Sequence, residues 1–357
     1  MPQLTVTAKD LVLTLSAAEK IAGLHGDLRV PLDDVEAVDV VADTFTAVRG
    51  LRAPGLELPG HTRIGTWRRP GGRAFVVARR GRPGLRITLR GHRLTELVLA
   101  VPAAGELREQ ILAARECRRR VAEHDVVITS AGYALAGTQV APRGREPVAT
   151  ALILPGSGEV DRDSDHVRLR LGVSVDLAHA LAAHGVSSLR YDKRGVGRSE
   201  GSFLATGLTE NIADARAALR WLQVRETGAE HPVFVIGHSE GGMIAQAVAA
   251  GDQSLAGVVL LAAPGVPGLE LMRWQGRQVA DALPPAARAI TRWFRIDLTA
   301  VQRKAVDRIQ ATEADVLRMN GRQVNARWQR ELLAFDPVPY LARITAPVLA
   351  ITGDKDL

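Results

Sequence analysis

Apolar and polar positions along this chain change rhythm at two places. Over residues 1–103 the pattern is short and alternating. "LTVTAKDLVLTL", "GLRVPLDDVEAVDVV", "AFVVARR", "GLRITLR" and "LTELVLAV" are strand-length runs punctuated by glycine and proline. In "GLRITLR", Leu85, Ile87 and Leu89 point one way while Arg86, Thr88 and Arg90 point the other. The segment "GELREQILAARECRRR" then takes a helical period, with Leu107, Ile111 and Ala114 on one face. Residues 1–120 are therefore read as a small, mostly β domain closed by a C-terminal helix.

Beyond the charged connector "ARECRRRVAEHD", strands alternate with helices, the pattern of an α/β sheet with crossover helices. A hairpin in "DVVITSAGYALAGTQVAP" turns at Ala131-Gly132. It is followed by strand "ATALILPG", helix "SVDLAHALAAHG", strand "SSLRYDKRG", helix "LTENIADARAALRWLQ", strand "HPVFVIGHS", a helix from residue 240, strand "LAGVVLLAAPG" and finally "APVLAITGDKD". Between residues 266 and 340 the β signal disappears. That stretch is expected to be helical and, inserted after a strand near the carboxyl edge of the sheet, to form a lid over the site. Residues 121–357 make the second domain.

Length, charge and cysteine content narrow the reading. With 357 residues, two domains with their own cores are expected. The net charge of +7 is all N-terminal: residues 1–120 carry 20 Lys and Arg against 13 Asp and Glu, and the remainder is balanced at 26 each. Those arginines are scattered singly through strand-like sequence with few aromatics, which suits a solvated surface better than a nucleic-acid interface. No apolar run approaches the ~20 residues that span a bilayer, and "MPQLTVTAKDLVLTL" lacks the basic start and cleavage site of a leader, so a cytoplasmic location without stable membrane insertion is expected. The single cysteine, Cys117, excludes an intramolecular disulfide, and no His, Cys or carboxylate cluster has ligand spacing, so neither a metal nor another cofactor is expected.

The candidate chemistry centres on "GHSEGG". A serine hydroxyl is a poor nucleophile unless a base removes its proton during attack. Gly237 and Gly241 flank Ser239 at the two-residue spacing of a nucleophile elbow, where a strained strand-to-helix turn needs small neighbours. The apolar strand "VFVI" runs in and the helix "MIAQAVAA" runs out. His238, next in sequence, is read as structural and not as the base. An oxyanion hole needs donors aimed at the developing charge. One is the backbone N–H of Glu240 at its helix start; the other is assigned to Ser157 in the loop "PGSGEVDRDSDH". Within that loop Asp161, Arg162 and Asp163 are expected to tie the backbone down through ion pairs.

Three motifs, "LPGSGEVDRDSD", "RYDKRGVGRSEG" and "GHSEGG", occur in the order and spacing of the bacterial α/β-hydrolases of the esterase and dienelactone-hydrolase-like kind, which residues 145–357 resemble. The resemblance implies an α/β-hydrolase fold with a helical lid. It also implies a structural role for Asp192, Arg194, Gly195, Gly197 and Ser199 in the second motif. Where the family commonly begins its oxyanion loop with histidine, this chain has Pro155; the donor is a backbone amide, so activity is not thereby lost. The family's triad carboxylate follows the strand after the lid in a G-x-x-D pattern. "TGDKDL" offers Asp356 at that spacing, with Asp354 as the alternative. With its "VPLDDVEAV" and "LRAPGLELPG" segments, the N-terminal part resembles bacterial pleckstrin-homology-like domains, which implies a lipid or protein partner.

In this fold the chain order is serine, acid, histidine. The nine histidines, at 25, 61, 92, 124, 166, 179, 184, 231 and 238, all precede Asp356. The expectation is therefore that the chain is the front part of a longer polypeptide that supplies the base. Two readings follow. One is a serine carboxylesterase acting on small or medium acyl esters through Ser239. The other is an inactive hydrolase fold whose N-terminal domain works as an adaptor.

Overall fold

The computed structural model describes residues 1–167, 169–225, 231–281, 283–284, 293 and 298–354. The chain divides into two compact units, Met1–Val121 and Ala122–Leu357. The segment expected to close the first unit as a helix is helix Ala104–Arg119, and a strand begins at Val121.

The first unit combines a three-stranded antiparallel sheet (Gln3–Val6, Asp10–Thr14, Leu28–Pro31) with a six-stranded sheet. In the latter the order is Val35–Val41, Gly84–Leu89, Glu96–Leu99, Gly72–Arg79, Thr62–Arg69, Leu51–Leu58, with one parallel pair between the third and fourth. The alternation read in "GLRITLR" is observed: Leu85, Ile87 and Leu89 are buried, and Arg86, Thr88 and Arg90 are not. Helix Ala104–Arg119 packs Ile111, which is fully buried, with Leu107 and Ala114 against the same core. Burying one face of each element is what a mostly β unit of this size needs to hold together.

The second unit is built on a seven-stranded sheet. Its strands are β1 (Val121–Ser130), β2 (Tyr133–Pro142), β3 (Ala149–Leu154), β4 (Val186–Tyr191), β5 (Val233–His238), β6 (Gly257–Leu261) and β7 (Val348–Ile351), in the spatial order β1-β2-β4-β3-β5-β6-β7. The turn between β1 and β2 is made by Ala131 and Gly132, both at positive φ (48° and 86°), the geometry that matches the twist of a hairpin. From β4 to β7 every neighbouring pair is parallel. The central strand β3 is buried at all six positions, as expected for a parallel strand covered on both faces. Helices α1 (Val173–Ala183), α2 (Leu208–Arg225) and α3 (Glu240–Ala249) make the crossovers, and Leu152, Leu189, Val235, Met243 and Leu219 meet in one core. At the edge of the sheet, Val348, Leu349 and Ile351 of β7 are exposed.

Between β6 and β7 lies the insertion, with helices α4 (Gly268–Asp281), α5 (Leu298–Gln310) and α6 (Ala326–Ala334). It is not wholly helical as expected. Val316–Met319 and Arg322–Asn325 form a short antiparallel hairpin, turned by Asn320 and Gly321 at φ 50° and 78°. Asn-Gly is among the strongest short-range hairpin signals. Asn325 anchors the insertion: its side-chain oxygen caps α6 by accepting from the Trp328 N–H (2.8 Å), while its amide donates to the carbonyls of Phe203 (2.6 Å) and Thr206 (2.7 Å). Glu331 adds a second tie, accepting from the Thr209 N–H at 2.7 Å, and Arg327 pairs with both Glu210 and Glu331.

Candidate active site

The C-terminal ends of β3, β5, β6 and β7 converge where the strand order reverses, which is where open α/β sheets bind ligands. Ser239 stands there, between β5 and α3, with φ 54° and ψ −116°, a conformation that costs a non-glycine residue of order 1–3 kcal/mol. Surrounding bonds hold the strain. The Ser239 N–H donates to the Leu261 carbonyl on β6 (2.9 Å), and the Ser239 carbonyl accepts from the Gly242 N–H (2.9 Å). The glycines are required by close approach: a Cβ on Gly237 would fall 2.6 Å from the Gly242 Cα, and one on Gly241 would fall 2.7 Å from the Pro155 oxygen.

Glu240, the next residue, starts α3, so its backbone N–H is one of the helix's unpaired terminal donors beside Ser239. Its carboxylate is almost fully buried and accepts from three directions: Trp328 Nε1 (3.1 Å), Asn211 Nδ2 (3.4 Å) and Lys193 Nζ (3.4 Å). Lys193, itself buried, also donates to the carbonyls of Gly156 (2.7 Å) and Gly158 (3.4 Å). Ser157 lies between those two glycines, exposed at the tip of the loop after β3. Lys193 and Trp328 went unnoticed in the sequence. Lys193 sat in plain view as the variable position of "DKRG".

Farther along the same loop, two of the three residues expected to form ion pairs, Arg162 and Asp163, do so, whereas Asp161 bonds backbone N–H groups instead. Arg162 makes a two-pronged pair with Asp192 (Nε 3.0 Å, Nη2 2.7 Å), and Asp163 accepts from Arg190 Nε at 2.8 Å. Asp192 also accepts the backbone N–H groups of Arg162 (2.8 Å) and Arg198 (2.9 Å), and the space a Cβ on Gly197 would need is filled by its carboxylate. Arg194 grips Asp214, and Ser199 bonds the Asp192 carbonyl (2.7 Å). The second motif is thus a scaffold for the loop that carries Ser157.

Asp161 uses one carboxylate oxygen to accept the N–H groups of Asp163 and Asp165 (2.9 and 3.0 Å). Burial pushes its pKa above the usual aspartate value, with the charges of Asp163 and Asp165 adding to the rise and those two N–H bonds opposing it. A raised folded-state pKa makes ionisation costlier in the native state, so stability present below the ordinary aspartate value is lost as pH rises through the folded one. Asp161→Asn keeps an acceptor oxygen and removes that loss. In urea titrations the variant is expected to gain on the wild type as pH rises above the ordinary aspartate range, and a pH-independent difference contradicts this assignment.

Ser239 opens into a cleft of about 320 Å³ lined by His238, Ala262, Ala263, Pro264, Thr352 and, from α4, Leu271, Trp274 and Gln275. The α4 residues stand at i, i+3 and i+4, so one helical face of the insertion lines the cleft. His238 shares the cleft, its ring against Gly156, and among the described residues Ser239 hydrogen-bonds no histidine. Asp356 lies outside the described residues. Asp354 is exposed in the turn that follows Thr352. Of the site residues expected from the sequence, Ser239 lines the cleft, Glu240 follows it at the start of α3, and the Ser157 loop is bonded to the Glu240 side chain through Lys193.

A strained serine on a strand-to-helix corner, at the carboxyl edge of a sheet ordered in this way and beneath an insertion after its sixth strand, defines an α/β-hydrolase fold. Residues 170–357, more than half of the chain, match the family described as serine aminopeptidase, S33, and the chain belongs to that family. Esterase EstD of Thermotoga maritima is 28% identical over 235 residues, which make up 66% of this chain and 52% of that protein, so the chain spans about half the length of this relative. Two similar solved structures are Est1E from Butyrivibrio proteoclasticus with ferulic acid bound (20% identity, TM-score 0.46, 64% of this chain and 79% of that one) and proline iminopeptidase of Mycobacterium smegmatis (18% identity, TM-score 0.45, 65% and 82%).

Proposed function

We propose that the protein is a serine carboxylesterase acting on uncharged esters with small or medium acyl groups. The observation that carries this reading is the backbone of Ser239, held at φ 54° and ψ −116° where the serine opens into a cleft of mixed polar and apolar lining. In the proposed reaction Ser239 Oγ attacks the ester carbonyl, and the amides of Glu240 and Ser157 receive the oxyanion. A general base takes the serine proton and passes it to the leaving alcohol, and Asp356 is the carboxylate proposed to orient that base. Water then adds to the acyl-enzyme and releases the acid, returning the proton to Ser239.

The family description raises peptide cleavage at a free amino terminus as a second reading. That reaction needs an acceptor for the substrate's ammonium. Among the described residues, the cleft lining offers alanine, proline, leucine, tryptophan, threonine, glutamine and one histidine, but no carboxylate. The esterase named among the relatives agrees with the first reading. The test compares p-nitrophenyl acetate and butyrate with amino-acid p-nitroanilides. Ester turnover exceeding anilide turnover by about 10²-fold or more in kcat/KM is expected, and efficient anilide cleavage without ester turnover overturns the assignment.

A further inference from the structure

We infer that Lys193 is a positioning residue for the oxyanion hole, and that the Glu240 carboxylate and Trp328 make its action depend on the docked insertion. The inference rests on the proposed roles of the Ser157 and Glu240 amides. It starts from the peptide between Gly156 and Ser157. In a trans peptide the carbonyl and the following N–H lie in one plane and point in opposite directions. Lys193 Nζ donates to the Gly156 carbonyl at 2.7 Å, so it fixes the direction in which the Ser157 N–H points.

An ammonium has three donors, and here all three have acceptors: the carbonyls of Gly156 and Gly158 and the carboxylate of Glu240. Two side chains that are 5% and 2% exposed are thereby paired and hydrogen-bonded, the condition under which a buried network rigidifies its surroundings. Glu240 thus serves the hole twice: its backbone offers one donor, and its side chain holds the lysine that aims the other. Without the lysine, a buried carboxylate would sit beside a developing oxyanion with only neutral partners. The lysine supplies the compensating charge.

The remaining partners of Glu240 come from two directions. Asn211 belongs to α2 in the sheet scaffold, whereas Trp328 belongs to α6 of the insertion and donates through Nε1 at 3.1 Å. Asn325, immediately before α6, pins that helix to the carbonyls of Phe203 and Thr206. Seating of α6 therefore completes the bonding of Glu240, and lifting it removes one of the carboxylate's three donors. The geometry couples the docking of α6 to the aim of the oxyanion donors.

The test uses the intact protein with Lys193→Met and Trp328→Phe. It follows kcat and KM for p-nitrophenyl acetate, affinity for a trifluoromethyl ketone that forms a tetrahedral oxyanion on serine, fluorophosphonate labelling of Ser239, and the urea midpoint. We expect Lys193→Met to lower kcat by about 10- to 100-fold and Trp328→Phe by about 3- to 10-fold, with KM within about twofold. Ketone affinity should fall by the same factors, Ser239 labelling should persist, and the two effects should be less than additive in the double variant, as for groups in one network. Folded variants that keep wild-type kcat and ketone affinity overturn the inference; if Lys193→Met does not fold, Trp328→Phe alone decides. Loss of kcat that tracks the urea midpoint but not ketone affinity also overturns it. A wild type that neither turns over esters nor labels at Ser239 instead refutes the underlying esterase reading.

Discussion

Ser239→Ala is expected to lower kcat/KM for p-nitrophenyl acetate by about 10⁴-fold or more while leaving the urea midpoint unchanged. The size of the effect follows from the role: without Oγ no acyl-enzyme forms, and what remains is positioning and oxyanion stabilisation acting on water. The unchanged midpoint follows from the backbone. Alanine and serine carry the same Cβ, so both are strained at φ 54°, and the bonds that hold the corner come from the main chain at Leu261 and Gly242. Ser239→Gly separates strain from chemistry. It removes the Cβ penalty and is expected to stabilise the fold by about 1 kcal/mol while being as inactive as the alanine variant. Retention of a tenth or more of wild-type ester turnover in Ser239→Ala contradicts the assignment.

Gly241→Ala is expected to destabilise the protein by about 3–5 kcal/mol, at the upper end of single substitutions, or to prevent its folding. The methyl group would meet the carbonyl groups of Leu154 and Pro155, with the Leu154 carbon and the Pro155 oxygen each at 2.7 Å. These are backbone atoms at the end of the central strand β3, which pairs on both sides and cannot move aside. The same crowding keeps the loop bearing Ser157 close to the start of α3, so relaxation that tolerates the methyl group pushes the proposed oxyanion donors apart. A denaturation midpoint equal to wild type, with full activity, contradicts the close approach.

How much of this was legible before the structure depends on the range over which each feature is encoded. The elbow was, because its demands are local: "VFVI", Gly237, Ser239 and Gly241 lie within nine residues, and each answers a steric requirement of one corner. The sheet's strands were legible from apolar runs such as "ATALIL", since a strand covered on both faces needs no polar alternation. The hairpin inside the insertion was missed although Asn320-Gly321 announced it; its strands are short, and the flanking arginine-rich helices carried the stronger pattern. The face of α4 that lines the cleft was implicit in the spacing of Leu271, Trp274 and Gln275, but nothing local says which face of a helix meets a serine. Least legible was the set formed by Lys193, Asn211, Glu240 and Trp328. Its members come from four separated segments, and only the folded sheet brings one lysine within reach of both a loop carbonyl and a carboxylate.

The proposed role of Ser239 as nucleophile is tested by treating the intact protein with a fluorophosphonate and locating the adduct by peptide mass spectrometry. A single phosphonylated residue, Ser239, is expected in the peptide containing "GHSEGG", with no adduct in Ser239→Ala. Absence of the adduct in an ester-hydrolysing preparation, or its appearance on another residue with Ser239 unmodified, contradicts it.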